Sequence, residues 1–226
     1  MPESFSPSCG SVGPRSEYIR ETVTAVRQLC NERKITVFSS EMYGGNQVMR
    51  DRLIELIPEF DEISDADLKE KTVNVWIKAL KLANMSPDDM LRMPFTLIKL
   101  SIEKDINFVT HVRGVTGVAM AAGKLVRDLY KDVISINMDY LAAGALLHDV
   151  GKVIEVSETK NGWIKSTQGK IVRHPFSGVG LCFDEGIPDE VMHIIAVHSK
   201  EGDGGFRTPE AWILHHADFI NFEIFR

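Results

Sequence analysis

The sequence predicts an all-α protein: a helical bundle with one small β-hairpin set into it. Three observations carry this. Apolar residues recur at spacings of three and four through successive segments. The stretch Leu141 to His148 is apolar nearly all round, which marks a helix at the centre of the domain. Residues 154–172 switch to β-prone residues around Asn161-Gly162, a hairpin signal.

Taken in order, residues 1–14 hold three Pro, two Gly and four Ser and read as a flexible tail. Residues 15–94 form an N-terminal helical portion. In it, Ile19, Val23, Val26 and Cys30 share a helical face, and 35–40 is a short apolar piece followed by a break at Gly44-Gly45. Val48 to Ile57 is a second helix ended by Pro58. A third, capped by Ser64 or Asp65, carries Leu68, Val75, Leu80 and Leu82. Ser86-Pro87 reads as an N-cap followed by Pro at the first helical position.

Residues 95–226 are denser in apolar side chains. A stripe from Phe108 through Val112, Val115 and Ala119 to Leu125 follows a cap at Asp105. After the hairpin, helices resume at Pro175–Phe183, Pro188–His198 and Pro209–Phe225, the last capped by Thr208.

Composition narrows the function classes. Of the 226 residues, 44% are hydrophobic, an ordinary share for a domain with a sizeable core. The longest uninterrupted apolar stretch, Tyr140 to Leu147, is too short to span a bilayer. Net charge is −6 with no Lys/Arg run, which argues against a nucleic-acid surface and leaves a small-molecule substrate. Self-association stays open. Three widely spaced cysteines (Cys9, Cys30, Cys182) form no disulfide framework, so a cytoplasmic location is expected.

The histidines carry the chemistry. All seven lie from His111 onward, and several stand near aspartates: His148 directly precedes Asp149, and His215-His216 come just before Asp218. Imidazole and carboxylate together form a ligand set for zinc, iron and manganese. His111, His148, His174, His198 and Asp218 are 20 to 37 residues apart, so each helix of a bundle can offer one side chain to a shared centre. A buried His-Asp pair at the end of LAAGALLHDVGK carries a desolvation penalty unless it is paired or metallated.

HVRGV at 111–115, ALLHDVGK at 145–152, RHPFSGVGL at 173–181, VHSKEGDG at 197–204 and HHADFI at 215–220 resemble the HD superfamily of metal-dependent phosphohydrolases. The resemblance implies an HD-domain helical bundle over 95–226, with His111, His148, Asp149 and Asp218 around one metal. His174 and His198 would hold a second, with Asp149 bridging. The implied cofactors are divalent ions (Mn, Fe, Zn or Mg), two per chain, and the implied activity is hydrolysis of a small phosphoester or nucleotide by a metal-bound hydroxide. Catalytic roles fall to Asp149, Lys152 and Arg173, the last two neutralising developing negative charge. Lys152, Arg173 and His215 are the expected substrate contacts. His193 sits five before His198, about 140° away on an ideal helix, and reads as structural. Phe219, Phe222 and Phe225 read as core or a subunit contact. The hairpin is expected to cover the pocket, with Trp163 either exposed as a candidate contact or packed on the hairpin's own face.

Three alternatives remain. One is hydrolysis of a cyclic carbonyl substrate on the same site. Another is a diiron HD-type oxygenase, although Ser101 and Lys104 stand where its phosphonate-cleaving members carry Tyr and Glu. The third is a non-enzymatic signalling module. Members that cleave cyclic dinucleotides carry a His-His pair and a GYP element where this chain has His198-Ser199 and Gly205-Phe206-Arg207.

Overall fold

Helix α1, Glu41–Leu56, opens the architecture of the computed structural model, which describes residues 41–101 and 106–226. A 3-10 turn at Pro58–Glu62 leads into α2, Ala66–Ala83, and a second at Pro87–Leu91 follows it. Then come α3, Phe108–Leu129, α4, Met138–Leu147, and the single turn α5, Lys152–Glu155. Strands β1, Val156–Thr159, and β2, Gly162–Lys165, form the antiparallel hairpin. Helices α6, His174–Phe183, α7, Asp189–Val197, and α8, Pro209–Glu223, complete the chain. The expected tail at 1–14, the pattern from Ile19 to Cys30, the 35–40 piece and the Asp105 cap lie outside the described residues.

Local chemistry explains most element boundaries. Asp65 caps α2 by accepting from the Leu68 amide at 2.9 Å, and Asn84 ends it in the left-handed region at φ 54°. Thr208 caps α8 through the Ala211 amide. Helix α3 is capped by Asn107, which accepts from the Thr110 amide at 2.8 Å.

Two boundaries differ from expectation. Helix α1 runs through Gly44-Gly45, because two glycines penalise a helix by only about 1 kcal/mol each while its last turns are anchored by buried Leu53. In the hairpin, Thr159 pairs with Gly162, so Lys160 and Asn161 form the turn. Gly162, at φ 102°, takes the left-handed step that a side chain would resist.

Helix α4 is the axis. Leu141 through Leu147 are buried, with α2, α3, α7 and α8 packed around them. One core runs from Leu53 and Trp76 to Leu214, joining helices on both sides of position 94. Trp76 donates its indole N–H to the Leu146 carbonyl at 3.1 Å, satisfying an acceptor near the end of α4. Trp163 is not exposed: it is half-buried and packed on this core. Among the described residues no helix is long and apolar enough to cross a membrane.

Candidate metal centre

Around this apolar axis, the buried polar side chains are few and gathered. His111, His148, Asp149, Glu155, His174 and His198 all expose 5% or less of their surface. His111 comes from the first turn of α3, and His148-Asp149 follow the end of α4. His174 is the first residue of α6, His198 follows the last of α7, and Asp218 lies in α8.

Asp149 stands in the middle with its two oxygens facing different partners. Oδ2 is 3.2 Å from His111 Nε2 and 3.3 Å from His148 Nε2. Oδ1 is 3.2 Å from His174 Nε2 and 3.8 Å from His198 Nε2. Asp218 Oδ1 joins the first group, 3.3 Å from His111 Nε2 and 3.9 Å from His148 Nε2. The structure thus brings together all six expected ligands, in two groups that share Asp149.

The tautomers show what these groups are built to hold. His148 Nδ1 lies 2.7 Å from the Ala145 carbonyl, and His198 Nδ1 lies 2.7 Å from the Ile195 carbonyl. A carbonyl only accepts, so each Nδ1 carries a proton and each Nε2 is the nitrogen turned inward. His174 Nδ1 is likewise directed at Glu155 Oε2, 3.1 Å away. The inward nitrogens face carboxylate oxygens and one another. His174 Nε2 and His198 Nε2 approach to 3.3 Å. His111 Nε2, His148 Nε2 and both Asp149 oxygens are buried without a hydrogen bond of proper geometry. Buried imidazole and carboxylate atoms that converge without proper hydrogen bonds to one another are the arrangement a divalent cation satisfies, so the residues fit a metal.

Burial would raise the Asp149 carboxyl, but Lys152 and His148 hold it well below the usual range. Asp218 is also lowered, against its burial, by His111 and His148. Burial pushes His174 down to about 4, keeping it neutral and available as a ligand. For His111, burial is outweighed by Asp149 and Asp218, which raise it.

These shifts predict how the chelated protein responds to acid. Glu155 and Glu201 are both held at about 2, below their ordinary 4.5, despite burial. The stability they contribute is present above about pH 4.5 and is lost as pH falls through the folded values. His174, held at about 4 against an ordinary 6.5, adds a loss between those two values because the unfolded chain takes up the proton first. His111 acts in the opposite sense. The metal-free melting temperature should therefore be lower at pH 4 than at pH 7; a rise on acidification would contradict this balance.

A cavity of about 410 Å³ opens beside the cluster, lined by Phe95, Leu97, Lys152, Arg173, Phe219 and Phe222 among others. Lys152 Nζ lies 2.6 Å from Asp149 Oδ2 and donates to the Phe95 carbonyl at 2.9 Å. Arg173 lines the cavity with its guanidinium bound to Glu155 and Glu201. His215 is not among the lining residues, and its Nδ1 donates to the His198 carbonyl at 2.6 Å. Phe219 and Phe222 line the cavity, with Phe222 also packed on the core. At the root of the hairpin, Val156 and Lys165 reach the cavity, while Trp163 lines a separate recess with Met85 and Glu158.

Sequence reasoning missed two groups. Glu155 holds His174 through both backbone and ring nitrogen. Arg207 donates to the carbonyls of Val197 and Ser199, so that with His215 every carbonyl from 197 to 199 is held around His198. Glu155 lies in no motif, and Arg207 only where the chain departs from a GYP element; burial and hydrogen bonds reveal what they do.

A model of the HD domain matches residues 108–220. The chain is 30% identical over 119 residues to the dihydroneopterin 2′,3′-cyclic phosphate phosphodiesterase of Methanocaldococcus jannaschii, covering 51% of this chain and 46% of that protein. It is 35% identical over 116 residues to the 3′-5′ exoribonuclease YhaM of Listeria welshimeri, covering 45% and 35%. Against YhaM of Oceanobacillus iheyensis it is 33% identical over 117 residues, again covering 45% and 35%. The chain spans less than half the length of these relatives. No solved structure matches significantly.

Proposed function

Since the chain belongs to the HD domain family, we propose that it is a metal-dependent phosphohydrolase acting on a small phosphoester or nucleotide. The observation that carries this reading is Asp149, buried with each oxygen facing its own pair of histidine nitrogens. His111, His148, Asp149 and Asp218 would hold one divalent ion, and Asp149, His174 and His198 the second. Ions bound there would provide a nucleophile near neutral pH and offset charge on the phosphoryl group. Of the expected ions, Zn, Fe and Mn suit such imidazole-rich ligands better than Mg, which prefers oxygen, and availability selects among them.

The chain's own groups complete the chemistry. Lys152 stands between Asp149 and the cavity and would donate to a phosphoryl oxygen once the substrate enters. Phe219 and Phe222 would receive the apolar part of the ester, beside the Asp218 end of the cluster. A volume of about 410 Å³ suits one nucleotide-sized molecule. His215 would act through His198, by holding its carbonyl, instead of touching substrate. The names of the relatives support phosphoester chemistry, one on a cyclic phosphate and the others on RNA. A net charge of −6 favours the small substrate over RNA.

The test is elemental analysis of the purified protein with a panel of 2′,3′-cyclic nucleotides, nucleoside monophosphates and short RNA. Hydrolysis should require a divalent ion, stop with chelator, and run faster on the small esters than on RNA. Metal-replete protein that hydrolyses none of them would overturn the proposal, and oxygen uptake by an iron-loaded sample would point to the oxygenase chemistry.

A further inference from the structure

Behind the second histidine pair runs a row of charged groups, Glu155, Arg173 and Glu201. We propose that this row is a buttress whose positioning of His174 and His198 sets the affinity of the second ion and leaves the first unaffected. The inference rests on the two-ion reading above.

Glu155 is the fixed point, a carboxylate only 5% exposed. Its Oε2 accepts from the His174 amide at 2.8 Å and faces His174 Nδ1 at 3.1 Å. Its Oε1 accepts from Arg173 Nη1 at 2.6 Å, with Lys165 Nζ 3.2 Å away. Arg173 Nε in turn donates to Glu201 Oε1 at 2.8 Å. The other oxygen of Glu201 accepts from the hydroxyl of Ser199, the residue next to His198. One continuous chain of charge-assisted hydrogen bonds therefore runs from His174 to Ser199, the residue that follows His198.

The consequences follow from imidazole chemistry. A carboxylate that takes the Nδ1 proton fixes the ring's tautomer and orientation and raises the basicity of Nε2. Arg173 holds that carboxylate in place, and Glu201 spaces Arg173 from the His198 loop. None of the three hydrogen-bonds to His111, His148 or Asp218. This assigns Arg173 a different task from the expected substrate contact: although it lines the cavity, two of its nitrogens are already committed to carboxylates. It is a positioning residue.

The experiment is equilibrium dialysis of the full chain against a series of free Mn²⁺ concentrations, with bound metal counted by elemental analysis. Wild-type protein should take up two ions. Glu155→Gln and Arg173→Gln should bind the first ion as the wild type does and the second about 10- to 100-fold more weakly. Arg173→Lys, which keeps the charge, should recover part of the loss. Arg173 is 43% exposed, so its variants keep the test valid even if Glu155→Gln folds poorly. Equal weakening of both ions would reduce the row to a general brace and overturn the proposal. Two ions of wild-type affinity in both Gln variants would also overturn it. A wild-type protein that binds one ion would remove the two-ion reading and the buttress with it.

Discussion

Asp149→Ala should lower kcat/KM at least about a thousandfold, about 4 kcal/mol of transition-state stabilisation, and release the metal. Its carboxylate is the member shared by both histidine groups. The variant should also melt lower than the wild type, since Lys152 loses the oxygen 2.6 Å away and four imidazoles lose their common partner. Breaking a buried pair in this way costs about 3–5 kcal/mol. Thermal melts with and without chelator separate the two effects: chelator should destabilise the wild type and leave Asp149→Ala unchanged. A mutant with wild-type metal content and turnover would end the bridging role.

The second large effect is expected from a residue with no chemistry of its own. Gly151 lies two residues after Asp149 with ordinary right-handed backbone angles, so its role is not conformational freedom. A Cβ there would meet the His174 carbonyl oxygen at 2.2 Å, Ser177 Oγ at 2.6 Å and the Gly178 amide nitrogen at 2.9 Å. Two of these three are backbone atoms of α6, which cannot rotate aside. Gly151→Ala must therefore push the start of α6 away from Asp149 and carry His174 with it. The expected overpacking penalty is about 2 kcal/mol or more, a fall of about 4–8 °C in melting temperature for a chain of this size. Metal content should drop towards one ion, because His111, His148 and Asp218 do not ride on α6. A variant with unchanged melting and metal content would show that the approach of α6 is not needed to assemble the second group.

What could be read along the chain was set by local physics. Helix caps such as Asp65 and Thr208 act on amides only three residues away, so residue type and position suffice. The apolar run ending in His148-Asp149 was legible because buried polar groups are costly and therefore conspicuous. Where local rules failed, tertiary packing had the larger energy. Helix α1 continues through Gly44-Gly45, and Trp163 turns onto the core instead of outward.

The sequence by itself determined the helical class, the order of the elements and the residue types able to ligate a metal. Each follows from periodicity or from chemistry that a side chain carries wherever it lies. Only the tertiary structure decided how those side chains divide. It turned one oxygen of Asp149 to His111 and His148 and the other to His174 and His198, and it placed Glu155 behind His174. It also bound Arg173 to two carboxylates and brought Phe219 to the cavity wall. The reason is range. These contacts join residues far apart in the chain, their geometry is fixed by how helices pack around α4, and no spacing along a single element encodes it.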